Sequence, residues 1–141
     1  MRTLFAVALI GIGSAVAFAA PVPKELLRKS VTDRILGTWK MEKNDNGPIT
    51  MYTFTITFKK AGQMTFHREY PGRGIEPRDS PGKFKTGEPD KNYKLGSIDW
   101  KVTEPGGERG EVSRIIKLTE TELVFEDPDG LKEFFTRVKD K

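Results

Sequence analysis

Tyr52-Thr53-Phe54-Thr55-Ile56-Thr57-Phe58 places a large apolar residue at every even position and a threonine at every odd interior one. Side chains along a β-strand alternate between its two faces, so this period of two describes a strand with one buried and one wet face. That pattern belongs to antiparallel sheets rather than to the doubly buried parallel kind. Lys59-Lys60-Ala61-Gly62 turns the chain, and Gln63 to Glu69 returns with Met64 and Phe66 inward and Thr65 and His67 outward. A hairpin follows directly from these two runs.

Upstream, Ile35-Leu36-Gly37-Thr38-Trp39-Lys40 opens a first strand running to about Glu42, with Gly37 letting the backbone bend and Trp39 turned inward. Thr32-Asp33-Arg34 reads as a capped turn feeding that strand, because Thr and Asp side chains accept from nearby backbone N–H groups. Lys24 to Lys29 is expected to form a helical turn, and Asn44-Asp45-Asn46-Gly47-Pro48 ends strand one.

Downstream, Tyr70 to Asn92 carries four prolines and four glycines and is expected to be a long functional or mobile loop, with Lys83-Phe84-Lys85 as a short edge strand inside it. Order is expected to resume at Asn92, with Tyr93, Leu95, Ile98, Trp100 and Val102 facing inward. Val112 to Leu118 and Leu123 to Glu126 read as strands, with Ile116, Leu118, Leu123 and Phe125 as inward positions. Asp127-Pro128-Asp129-Gly130 is a turn, and Leu131 to Val138 closes the chain with one of Phe134 or Phe135 inside. The sum is an all-β, small up-and-down antiparallel barrel of about eight strands with a short N-terminal helical turn. Closure removes the exposed edges that such a meander otherwise leaves.

The N-terminus carries Arg2 and then 17 apolar or small residues, Leu4 to Ala20. Ala17-Phe18-Ala19 fits the small-x-small cleavage rule, so residues 1–19 read as a signal peptide and 20–141 as the barrel domain, secreted or periplasmic. An uncleaved anchor is the rival reading, since 17 residues stand at the lower limit for a span of about 17–25. No cysteine occurs anywhere, which excludes lipid attachment and disulfides and leaves stability to the core. A mature domain of this size buries enough surface to be stable alone, and a monomer is expected.

The chain bears 24 basic and 20 acidic side chains, a net charge of +4, and Arg2 is the one charge in the leader. Those charges alternate and make no basic block, so nucleic acid is not an expected partner. His67 is the single histidine and is read as a surface residue, without a partner for base catalysis. Ser80 and Ser97 fall in expected turns and lack a glycine elbow. Asp127-x-Asp129-Gly130 opens like a calcium loop, but its twelfth position is Val138. Gly72-Arg73-Gly74 and Gly106-Gly107 follow no strand-to-helix transition. The residues assign no catalytic group, metal ligand or cofactor, and a non-enzymatic protein is expected.

Gly37-Thr38-Trp39, Phe54-Thr55-Ile56-Thr57-Phe58 followed by Gly62-Gln63, and Leu118-Thr119-Glu120-Thr121-Glu122-Leu123 through Phe135 and Arg137 resemble a short lipocalin-like domain of secreted planctomycete-type bacterial proteins. In the lipocalin superfamily a glycine-x-tryptophan opens strand one and an arginine on the last strand packs across the tryptophan. The resemblance therefore implies a structural signature of Gly37, Trp39 and Arg137. The chain is shorter than a full lipocalin and lacks the threonine-aspartate-tyrosine loop pattern. The family implies no assigned activity. Two roles follow as expectations: a binding module whose interior takes a small apolar molecule, or a filled barrel that meets a protein or envelope partner through residues 70–92. For the first, Tyr52, Phe54, Met64, Phe66 and Trp100 are the expected lining, but eight strands leave room for little beyond their own side chains.

Overall fold

A computed structural model describes residues 30–139. The signal peptide, the alternative anchor and the helical turn at Lys24–Lys29 lie outside the described residues. The Tyr52–Phe58 run forms strand β3 (Thr53–Lys59), whose even-numbered side chains are buried. It follows β1 (Gly37–Asn44) and the two-residue β2 (Gly47–Pro48), and precedes β4 (Gln63–Tyr70), β5 (Ile75–Gly87), β6 (Ser97–Glu104), β7 (Gly107–Leu118), β8 (Glu122–Glu126) and β9 (Lys132–Arg137).

Every pairing is antiparallel and follows chain order from β3 to β9, and β9 returns to pair with β1. Eight strands therefore close an up-and-down barrel, as the strand rhythm requires. β2 pairs only with β1, at Lys43 and Asn44, where β3 has not begun. The β3–β4 turn places Ala61 and Gly62 at φ +60° and +69°, and Thr38 and Thr57 share a hydroxyl hydrogen bond of 3.0 Å on the outer wall.

Thr32-Asp33-Arg34 lies within a short helix, α1 (Val31–Ile35), rather than a turn. Ser30 is its N-cap, accepting from the Asp33 amide at 3.1 Å. The helix plugs one barrel end. Val31 and Ile35 are buried, the Thr32 and Thr86 hydroxyls are hydrogen-bonded, and Arg34 donates to the Leu118 carbonyl. Trp39, fully buried, donates from its indole nitrogen to the Ile35 carbonyl at 2.7 Å.

The expected loop at 70–92 is the largest correction. Ile75–Gly87 is a 13-residue strand that pairs with β4 along Gln63–Tyr70 and with β6 from Gly82 to Gly87. Its prolines, Pro77 and Pro81, lie in the half that pairs with β4 alone, before pairing with β6 begins at Gly82, and a one-sided segment tolerates a missing donor. Lys83-Phe84-Lys85 is consequently no edge, and Phe84 is buried. Ser80 and Ser97 lie in strands rather than turns.

Order resumes later than expected. Asp90 Oδ1 accepts from the Asn92 and Tyr93 amides, both at 2.7 Å, and binds Asp90–Gly96 into a turn before β6. Leu95 is exposed there and Tyr93 half-buried, outside the core. In β7, a register shift between Ile115 and Lys117 inserts one residue. A bulge reverses the alternation, so Ile115 is inside at 2% exposure and Ile116 outside at 37%. Of the two phenylalanines in β9, Phe135 enters the core.

Candidate functional site: the filled interior and its charged end

The expected lining residues come together in part. Phe54, Met64, Phe66 and Trp100 surround one interior cavity with Phe58 and Phe125. Tyr52 does not line that cavity: it packs half-buried against the core, its ring centre 5.8 Å from that of Tyr70. Alternation on β3, β4 and β6 explains the convergence, because Ile56 opposes Phe66, and Phe58 opposes Met64. The rings pack edge to face: Phe54 to Phe66 at 5.1 Å, Phe66 to Trp100 at 4.9 Å, and Phe58 to Phe84 at 5.0 Å. They leave a cavity of about 30 Å³, close to the volume one water takes in the liquid.

Sequence reasoning missed the other side of that cavity. Arg109, Glu111 and Glu133 line it together with the aromatic floor. Glu111 stands opposite Trp100 across β6 and β7, and Arg109 opposite Val102. The Arg109 guanidinium lies 5.6 Å from the Trp100 ring centre. Glu133 stands opposite Phe125 across β8 and β9. Arg68, opposite Phe54, lies 5.5 Å from that ring and 5.7 Å from Tyr52. Its Nε is buried without a hydrogen-bond partner. Glu111 accepts from the buried Ser113 hydroxyl at 2.9 Å.

One sign of these residues was available. Arg109, Glu111 and Ser113 alternate with Gly110 and Val112 along β7. The barrel puts Val112 outside, at 48% exposure, and Ser113 inside, with Glu111 half-buried and Arg109 exposed.

Burial raises the Glu133 carboxyl from its usual 4.5 to about 7. Loss of water is the main cause; the Glu111 and Asp127 carboxylates add to it, and Arg109 opposes it. Below that pH Glu133 is protonated and able to donate; above it Glu133 is an anion beside Arg109 and Glu111. The arrangement can hold a water-sized polar guest and exchange a proton. It has no room for a drug-sized ligand.

The signature residues meet. Arg137 stands opposite Trp39 across β1 and β9, its guanidinium 4.1 Å from the indole ring centre. It donates to the carbonyls of Glu120, Leu36 and Arg34 at 2.6, 2.6 and 2.7 Å. Gly37 has φ +116°, and a Cβ there would stand 2.7 Å from Arg137 Nη1. The glycine is needed both for its backbone and for the arginine's approach.

His67 points outward as its alternation requires, with Nδ1 2.6 Å from Asp79 Oδ1 on β5. Asp127 caps its own turn, accepting from the Leu131 amide at 2.8 Å, so the calcium-like opening is a hairpin turn. Among the described residues, no group of three or more His, Cys, Asp or Glu is placed to hold a metal ion, and no helix is long and apolar enough to cross a membrane. No protein-family model, curated protein or solved structure matches this chain.

Proposed function

We propose that this chain is a secreted, lipocalin-like binding module without catalytic activity, and that it works through the outside of a filled barrel toward an envelope or extracellular partner. The observation that carries this reading is the interior cavity of about 30 Å³, against the 300 Å³ or more that a drug-sized ligand occupies. An apolar guest would have to part Phe54, Phe66 and Trp100, whose edge-to-face contacts each stabilise the closed packing by about 0.5–1.5 kcal/mol. The larger concavities, of about 460 to 530 Å³, lie on the outer wall and beside α1. The hairpin β4–β5 supplies exposed contact surface, including Ile75 at its tip.

Titration with fatty acids and an environment-sensitive apolar dye, followed by tryptophan fluorescence, tests this reading. No saturable binding is expected. One-to-one binding at micromolar strength, abolished by Phe66→Arg in a variant that stays folded, would replace it with an interior pocket lined by Phe54, Met64, Phe66 and Trp100.

A further inference from the structure

Lysines that the sequence keeps apart are gathered by strand register. Lys83 on β5 stands directly opposite Lys101 on β6. On its other side Lys83 faces Gln63 on β4, which in turn faces Lys59 on β3. One rung of the outer wall therefore reads Lys59, Gln63, Lys83, Lys101 over four adjacent strands. With strands about 4.8 Å apart, the rung spans roughly 14 Å.

Among the described residues none of these lysines has a carboxylate within ion-pair distance; the ion pairs there belong to Lys40, His67, Arg114 and Lys117. Like charges directly opposed across a sheet are unfavourable, so folding does not account for the Lys83–Lys101 pair. The three lysines rim a groove of about 530 Å³, with Thr65, Pro81 and Thr103 along it and Glu108 as its one acid. Gly82 lets β5 and β6 approach closely under the groove, since a Cβ there would stand 2.2 Å from the Lys101 carbonyl.

We infer that this groove binds a linear acidic polysaccharide, a chain bearing a carboxylate on each sugar, laid across the strands from Lys101 to Lys59. This rests on the reading that the barrel acts through its outside. Positive charge repeats along the rung, the Gln63 amide fills the step between two lysines, and threonine hydroxyls match sugar hydroxyls. Nucleic acid fits less well: no aromatic side chain lines the groove to stack on bases. Lysine also offers a point charge, without the planar fork with which arginine grips phosphate.

The test is titration of the purified protein with polygalacturonate oligomers, by calorimetry and by amide chemical shifts, at several salt concentrations. Binding is expected to weaken steeply with salt and to shift amides of Lys59, Gln63, Lys83 and Lys101. Lys83→Gln with Lys101→Gln should lower affinity tenfold or more, and Glu108→Gln should raise it. The double variant should melt no lower than the parent, because a repulsion is removed; this separates lost binding from lost folding. Absence of binding, an unchanged affinity in the double variant, or tighter binding to oligo-dT or to phosphatidylglycerol vesicles would overturn the inference. Shifts confined to the tip at Tyr70–Ile75 would overturn the groove and leave the outer-surface reading standing. Shifts confined to Phe54, Phe66 and Trp100 would overturn both.

Discussion

The Arg137 guanidinium covers the Trp39 ring at 4.1 Å while its nitrogens donate to the carbonyls of Arg34, Leu36 and Glu120. One side chain thus ties the last strand to the first, to the end of α1 and to the β7–β8 turn. Cation–π contact alone is worth about 0.5–2 kcal/mol. The three charge-assisted hydrogen bonds add to it. Trp39 in turn holds the helix end through its bond to Ile35.

Trp39→Ala is expected to cost about 3–5 kcal/mol, enough to unfold a marginal domain. Arg137→Ala should cost about 2–4 kcal/mol, because partly buried carbonyls lose their donors as well as the ring its cation. Arg137→Lys should restore less than half of that, since an ammonium cannot reach three carbonyls in one plane. Urea unfolding of both single variants and the pair measures the coupling, expected at 1 kcal/mol or more. Zero coupling would separate the two residues energetically.

Gly37→Ala should destabilise by about 1–3 kcal/mol. An L-residue at φ +116° is strained, and the new methyl displaces a guanidinium pinned by three hydrogen bonds. Combined with Arg137→Ala, the substitution should cost less than the sum of the two. Thermal melts of the single and double variants decide it.

Glu133 makes stability fall as pH rises. Its folded value of about 7 lies above the unfolded 4.5, so the folded chain holds the extra proton between those limits. The penalty is absent below about pH 4.5 and complete above about pH 7. It amounts to at most about 3 kcal/mol at 1.4 kcal/mol per pH unit. Glu133→Gln should flatten the profile from pH 5 to 8 and raise stability at pH 8. A parent protein equally stable at pH 5.5 and 8 would show that Glu133 ionises as if in water.

The bulge in β7 predicts unequal effects at two neighbouring isoleucines. Ile115→Ala should cost about 2–5 kcal/mol and Ile116→Ala under about 1 kcal/mol, given their exposures of 2% and 37%. Denaturant midpoints of the two variants give the comparison. A reversed order would restore the unbroken alternation read from Val112 to Leu118.

Processing is open to a direct measurement. Ala17-Phe18-Ala19 fits the cleavage rule, and intact mass of protein from its native envelope is expected to correspond to a chain starting at Ala20. A species that keeps Met1 and sediments with membranes would replace the leader with an anchor.

The alternation of Thr53–Phe58 and Met64–Phe66 was legible because it depends only on which face of a strand is wet. The Trp39–Arg137 pairing came through resemblance. Other features were hidden for identifiable reasons. The prolines and glycines of 70–92 read as a loop because local propensity cannot see β4 and β6 holding β5 on either side. Unbroken alternation puts Ile116 inward, but one inserted residue reverses a period of two, and the insertion is settled by pairing with β8. The charged end of the cavity is harder to read because Glu133 on β9 meets Arg109 and Glu111 on β7 only once both strands pair with β8.

By itself, then, the amino-acid order determined an all-β chain, the strand faces of β3 and β4, and the turns at 60–62 and 127–130, since hydrophobic periodicity and turn chemistry act over a few residues. Tertiary structure decided the rest. Closure of β9 onto β1 set how full the interior is, burial raised the Glu133 carboxyl, and cross-strand register put Lys59, Lys83 and Lys101 on one rung. Each of these depends on distances between strands that no local pattern encodes.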